Sequence, residues 1–265
     1  MSWTGLPPGN ILQQMYLKER LKKLSGIYPQ KRFLEIGSGN GHVSYVFLES
    51  GWQGLGIDLN VSACQNNEQL NKSKIHQKKY RVICDDFLKF ESPVFFDVII
   101  SCMVIEHLPD HELNTFIQKA LSLLSKDGTL IIQVPANMKF WNIEDDIAGH
   151  IKRYELKDIY NMASHYHLLI NHIAALNYPL SNFLFRVSNY LVRKSESNKL
   201  NLSQKERTIY TGNRKVPLKT SFPRLLNILL NPIALYPFHI LQKLYSEKYS
   251  DALVLYVEFT KSQSL

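Results

Sequence analysis

The sequence predicts an α/β fold: a doubly wound, seven-stranded, mostly parallel sheet with a helix before it and an insertion before its last strand. Three observations carry this. Short apolar runs alternate with longer amphipathic ones, as strand–helix–strand units require. Runs such as "DVIISCMVI", Asp97–Ile105, are almost wholly apolar, as strands buried on both faces of a parallel sheet are. After the first such run stands "GSGNG", three glycines each two apart, bare enough for a sharp turn.

The elements follow in order. Residues 8–28, "PGNILQQMYLKERLKKLSGIY", place Leu and Ile along one side of a leading helix. Strands are expected at Phe33–Ile36, Gly54–Ile57, Tyr80–Cys84, Asp97–Cys102, Thr129–Val134, Leu168–Leu176 and Ala252–Phe259. Helices are expected at Gly41–Ser50, Val61–Asn71, His111–Leu124 and Glu155–Tyr166, with "KDG", Lys126–Gly128, marking a helix end and turn. The expected division is an extension over residues 1–29, a core over 30–177 and 249–265, and an insertion over 178–248. The insertion is rich in Pro, basic and large apolar residues with little clean periodicity; a core sheet does not need it, so it is expected to shape a pocket or an interface.

With 45% hydrophobic and 20% charged residues, disorder is excluded as a default. The net charge of +8 is uneven. Nine basic residues (Arg186, Arg193, Lys194, Lys199, Lys205, Arg207, Arg214, Lys215 and Lys219) face only Glu196 and Glu206, so 186–219 carries a net +7. An anionic partner or membrane surface suits that segment, as does a plain solvated loop. Cys64, Cys84 and Cys102 are odd in number and lack metal-ligand spacing, which fits reduced thiols in the cytoplasm. "MSWTGLPPGN" has no basic stretch leading into an apolar one, so no secretory leader is expected. The most apolar stretch, Leu225–Gln242, holds Pro232 and Pro237, which would break a spanning helix.

A strand followed by Gly37-x-Gly39-x-Gly41 and a helix is a ligand-binding turn, with free N–H groups at the helix start to take a carboxylate or phosphate. The dinucleotide fingerprint requires glycine at position 42, which is His42. Asp58 ends the second strand, where an acidic side chain takes ribose hydroxyls. Asp85 and Asp86 end the third, within reach of an adenine edge, and Glu35 precedes the glycines. Carboxylates so placed suit a ligand with an ammonium, a ribose and a positive centre, and repel a pyrophosphate. S-adenosylmethionine meets that description.

"FLEIGSGNG", "GID", "CDDF" and "FDVIISCMVIEHLPD" resemble the successive motifs of class I S-adenosylmethionine-dependent methyltransferases, and within them the type 11/12 group, which includes quinone-biosynthesis enzymes. "GTLIIQVP" resembles the fifth-strand motif, and "EDDIAGHIKRY", Glu144–Tyr154, resembles a pattern of many bacterial members. The resemblance spans about residues 30–170. It implies cofactor contacts from Glu35, Gly37, Ser38, Gly39, Gly41, Asp58, Leu59, Asp85, Asp86, Phe87, Cys102 and His107, with S-adenosylhomocysteine as product. In some quinone-pathway relatives the Glu-His region is tied to a divalent metal; none is expected here.

Methyl transfer from a sulfonium needs a nucleophile aligned with the methyl carbon, water excluded, and for a hydroxyl or amine a base. The acceptor side is expected beyond the fourth and fifth strands, from Met103, Glu106, His107, Asn137, Trp141, Asp146, His150, Arg153 and Tyr154. His150 is the preferred base, with His107 second. Asp146, four residues before His150, would orient its imidazole on one helical turn, unless His150 is structural and Asp146 pairs with Arg153 instead. Arg153 suits a substrate carboxylate or phosphate and Trp141 a pocket wall, with Met103 and Tyr154 as further substrate contacts.

The expected acceptor is a small molecule, a glycan or a lipid-like, carrier-linked molecule. The protein is expected in the cytoplasm, with residues 186–242 as the surface that would meet the inner face of an anionic membrane. RNA or protein acceptors and a cofactor-binding module without catalysis are the alternatives. No aromatic stacking platform is visible, so nucleic acid is not the expected partner. Neither the acceptor atom nor the oligomeric state is legible.

Overall fold

The computed structural model describes residues 3–196, 198, 201, 202, 206, 207 and 222–262. Seven strands form one sheet: β2 (Arg32–Ile36), β3 (Gln53–Asp58), β4 (Tyr80–Cys84), β5 (Phe96–Cys102), β6 (Leu124–Pro135), β7 (Leu168–Leu176) and β9 (Val254–Lys261). Their order is β4-β3-β2-β5-β6-β9-β7. The first five run parallel, and β9 is antiparallel to both β6 and β7. This is the doubly wound, mostly parallel sheet that the alternating pattern predicts, each strand lying within two residues of its expected start except β6.

At β6 the chain departs from expectation. Helix α5 (Asp110–Leu123) stops at Leu123, and Lys126–Gly128 lie inside the strand rather than at a helix end. Phe96 pairs with Leu124 but Val98 with Thr129, so the intervening residues of β6 bulge out. The turn signal is real, but it is spent on a bulge.

Both faces of the sheet are covered. On one, α5 and α7 (Leu156–His165) bury Phe116, Ile117, Ile159 and Met162 against Leu34, Ile99, Leu130 and Val257. On the other, α1 (Pro8–Leu24) and α2 (His42–Glu49) bury Tyr16, Leu17, Leu21 and Phe47 against Phe33, Val98, Ile131 and Tyr256. Arg20 of α1 clamps Glu258 of β9 with two hydrogen bonds of 2.8 and 2.6 Å, an ion pair held under the helix. On the β3–β4 side lie α3 (Val61–Leu70) and the short α4 (Lys72–His76).

The ends of the chain and the insertion meet. Strand β1 (Trp3–Gly5) pairs antiparallel with β8 (Phe222–Pro223), and α1 packs on α8 (Leu180–Glu196) and α9 (Tyr236–Leu244). The insertion is therefore more regular than its sequence suggests. Its basic residues Lys199, Lys205, Arg214, Lys215 and Lys219 lie outside the described residues. Among the described residues no helix is long and apolar enough to cross a membrane.

Candidate active site

The sheet order reverses between β2 and β5, which opens a crevice outside their carboxyl ends. The glycine loop enters it from β2. Gly37 and Ser38 donate their N–H groups to the carbonyl of Ile57, at 2.9 and 3.0 Å, which ties the loop to β3. Gly41 has φ +81°, and a Cβ there would meet Asn67 Oδ1 at 2.2 Å and Asn71 Nδ2 at 2.6 Å. Gly39 also has positive φ, +48°, yet a Cβ there would meet nothing within 4 Å: its face is open, as a ligand approach requires.

Asp58 holds the loop from the next strand. One carboxylate oxygen accepts from Gly39 N–H at 2.7 Å and the other from Asn60 N–H at 2.8 Å. Each oxygen keeps a lone pair for a further donor. Beside it Leu59 is 73% exposed, an apolar side chain left bare at a strand end and suited to lie against a flat ring. Asp85 is exposed and accepts from Asp86 N–H. Asp86 caps the turn Phe87–Lys89 through Leu88 N–H, and Phe87 is buried against Phe116, ring centroids 5.1 Å apart. Phe87 is core. Glu35, expected at the ligand, instead faces α2, where it accepts from the Ser44 hydroxyl; burial pushes its pKa to about 8. Ser38 is buried too, its hydroxyl accepting from Asn67 at 3.1 Å. Glu35 and Ser38 thus shape the loop from behind.

The acceptor side begins where β5 ends. Cys102 donates to Gln133 Oε1 at 3.6 Å, and burial holds its thiol well above the usual range. Met103 takes φ +55°, sparsely populated for a side chain and typical of constrained sites. The chain then turns through Ile105–His107. Glu106 is fully buried, neither carboxylate oxygen has a hydrogen-bond partner, and burial raises its pKa to about 7. The His107 imidazole lies 4.8 Å from that of His150, ring to ring, and burial, reinforced by His150, lowers its pKa to about 4.

His150 is delivered by the end of α6 (Ile143–Ala148). Gly149 takes φ +77°, and His150 N–H reaches back to Asp145 O at 3.0 Å while Gly149 N–H reaches Asp146 O at 3.3 Å, a Schellman closure. This closure corrects the expected partner. A continuing helix would stack His150 on Asp146, but the chain leaves the helix first, and Asp145 Oδ1 takes His150 Nδ1 at 2.8 Å. Asp146 accepts from the Trp141 indole at 3.0 Å instead. Asp145 is wholly buried. It also accepts from Arg153 Nε at 2.9 Å and from Asn142 N–H and Nδ2, at 2.9 and 3.2 Å. Burial opposes its charge, but the bond from His150 and the charge of Arg153 keep its pKa low.

Two expected substrate contacts are withdrawn by the same packing. Arg153 is buried between Asp145 and the Ala136 carbonyl, and Tyr154 is 1% exposed with its hydroxyl on Ile105 O. Asn137 likewise braces the chain, donating to Tyr249 O and Ala252 O. Trp141 and Met103 remain partly exposed near the crevice. Sequence reasoning missed Asp145; the signal was Gly149, a helix-ending residue just before His150. Ligand atoms of Glu106, His107 and His150 all lie within 4.8 Å of one another, a set that fits a divalent ion although the sequence led us to expect none.

Comparison with known proteins adds the family. Residues 12–173 match the family described as "Methyltransferase domain". The chain is 28% identical over 118 residues to sphingolipid C9-methyltransferase 1 of Gibberella zeae, covering 44% of this chain and 23% of that one. It spans under half the length of the curated relatives it matches. Among solved structures it resembles a Galdieria sulphuraria protein assigned as a sarcosine dimethylglycine methyltransferase, with TM-score 0.60 and 16% identity over 96% of this chain and 86% of that one. It also resembles magnesium protoporphyrin IX methyltransferase of Synechocystis PCC 6803 with bound S-adenosylhomocysteine, with TM-score 0.53 and 15% identity over 64% and 79%.

Proposed function

The chain belongs to the methyltransferase-domain family, and from that membership we propose that it moves the methyl group of S-adenosylmethionine onto a nucleophile held beyond β5 and α6. The observation that carries this reading is the loop open at Gly39 with Asp58 and bare Leu59 beside it, together with the Glu106–His107–His150 group beyond the end of β5. The methionyl end would lie over the open face of Gly39, the ribose on Asp58 and the adenine on Leu59. A lone pair on the acceptor attacks the methyl carbon in line as the carbon–sulfur bond breaks, and that bond's electrons stay on sulfur, giving S-adenosylhomocysteine. The acceptor's proton leaves to the polar group. There Asp145 accepts the Nδ1–H of His150, which fixes the tautomer and leaves a lone pair on Nε2.

For the acceptor we infer a lipid-like or carrier-linked molecule met at an anionic membrane surface. Helix α8, which packs on α6 and buries Val192, supports this because much of its apolar surface points outward. Phe183, Leu184, Val187 and Tyr190 are exposed, while Ser181, Asn182, Ser188 and Asn189 are sheltered. Arg186, Arg193 and Lys194 share the exposed face, the mix of apolar and basic residues that interfacial helices present. Leu225, Ile228 and Ile233 are also bare, at 78, 79 and 88% exposure.

Calorimetric titration with S-adenosylmethionine, S-adenosylhomocysteine and NAD tests the cofactor. Binding of both adenosyl ligands but not NAD, lost in Asp58→Ala, is expected; binding of NAD alone would overturn the reading. Flotation with anionic vesicles tests the acceptor side, and a protein that stays at the bottom of the gradient would remove the membrane.

A further inference from the structure

We propose that Glu106, His107 and His150 form a binding site for one divalent first-row transition cation. The inference takes its location from the methyl-transfer reading above, and its evidence from the side chains alone.

Three features single the group out. Glu106 is 0% exposed, and both its oxygens lack a hydrogen-bond partner, a costly state for a buried carboxylate that a bound cation would relieve. His107 and His150 each place Nδ1 against an atom that can only accept, Gly149 O at 3.3 Å and Asp145 Oδ1 at 2.8 Å. Each Nδ1 therefore carries a proton, and the neutral form of each ring has its lone pair on Nε2. This is how metal-binding imidazoles are held, with an acceptor on the far nitrogen that fixes the tautomer. Finally, His150 Nε2 lies 3.8 Å from Glu106 Oε1, and the ligand atoms of all three residues fall within 4.8 Å of one another.

Ions bound at about 2.0–2.2 Å hold neighbouring ligand atoms roughly 3 to 3.5 Å apart. Rotation of the side chains inward by about 1 Å would close the set around an ion. Two imidazoles and a carboxylate favour zinc, manganese, cobalt or iron over magnesium or calcium, which prefer all-oxygen sites. When bound, such an ion supplies Lewis acidity, lowering the pKa of a hydroxyl that coordinates it. The lone pair of His150 Nε2 serves either the ion or a proton, so the inference specifies how the polar group takes up its role.

The test is titration of the purified full chain with Co²⁺, without adenosyl ligand or acceptor, read by visible d–d absorption and calorimetry. One Co²⁺ per chain is expected. Affinity should fall at least tenfold in Glu106→Gln and in His150→Asn, and by a factor in the range about 10 to 100 in Asp145→Asn, which leaves all three ligands in place and takes the charge from the partner that orients His150. Circular dichroism checks that each variant is folded. Glu106→Gln is the decisive one because it is close to isosteric and breaks no hydrogen bond of the carboxylate. No saturable binding to the native chain, or binding that survives unchanged in folded Glu106→Gln, would overturn the proposal. Because no methyl donor is present, failure here leaves the methyl-transfer reading standing, and failure of the adenosyl titration leaves this one standing.

Discussion

Glu35 gives the most quantitative prediction. Its carboxyl is 2% exposed and accepts from Ser44, whose own hydroxyl accepts from Tyr80 at 2.7 Å. Burial is the main cause of its raised pKa, from 4.5 to about 8, partly offset by Ser44 and reinforced by the charge of Asp58. The folded protein therefore keeps this proton where the unfolded chain releases it. A raised pKa in the folded state means stability that is fully present below pH 4.5 and is lost as pH rises toward 8. The slope is about 1.4 kcal/mol per pH unit within that window, which amounts to about 3 kcal/mol between pH 5 and pH 7.5. Glu35→Gln keeps an acceptor for Ser44 and removes the titration. Urea unfolding of both proteins across this range should show the Gln variant gaining about 3 kcal/mol relative to the native chain. Other titrating groups, Glu106 among them, are common to both and cancel in the difference. A difference flat within about 0.5 kcal/mol would show that Glu35 ionises in place, and the account of the loop as braced by a neutral carboxyl would fail.

Two further contrasts probe the site. Gly41→Ala places a methyl on Asn67 and Asn71 at a positive φ, so unfolding free energy should drop by about 2 kcal/mol or more, measured by denaturant. Gly39→Ala meets open space and should cost only about 1 kcal/mol of backbone strain, yet obstruct the ligand; S-adenosylmethionine affinity should fall while the melting curve barely moves. Asp145→Asn weakens the pairing of buried Arg153 and His150 and should cost about 3 kcal/mol, whereas Asp146→Asn, touching only the Trp141 indole with its carboxylate, should cost about 1 kcal/mol or less. Equal losses in the two would contradict the Asp145-centred geometry.

Much of the sheet was legible because its signals are local. Strand β5 is apolar residue after residue, and the loop after β2 is bare glycine, so neither needs long-range knowledge to be recognised. Strand β1 is the opposite case: Trp3–Gly5 is extended through pairing with Phe222 and Pro223, some 220 residues away, and no local pattern announces that. Helix α8 was obscured for a different reason. Periodicity is read on the premise that apolar residues face inward, and in α8 Phe183, Val187 and Tyr190 face out. The weak periodicity and the proposed membrane contact rest on the same observation, a helix with Phe183, Val187 and Tyr190 exposed.

At the site, the expected and observed geometries differ by one residue, from Asp146 to Asp145, and the difference decides the chemistry. On an unbroken helix, Asp146 would have met His150 at the surface, leaving Arg153 free to face substrate. Because the chain leaves α6 at Gly149, His150 swings back over Asp145, a carboxylate with no exposure whose other contacts are Arg153 and Asn142. Arg153 is thereby spent on holding Asp145 ionised, and the positive charge expected at the substrate lies behind the imidazole instead. What stands together beyond β5 is then not a basic residue but two partly buried imidazoles and a buried carboxylate without a hydrogen bond. Such a group attracts protons or cations and repels anions, so on the proposed reading an acceptor beside it would present a neutral hydroxyl or amine. On the proposed reading, any anionic portion of the acceptor would lie elsewhere, and the basic exposed face of α8 would be its counterpart.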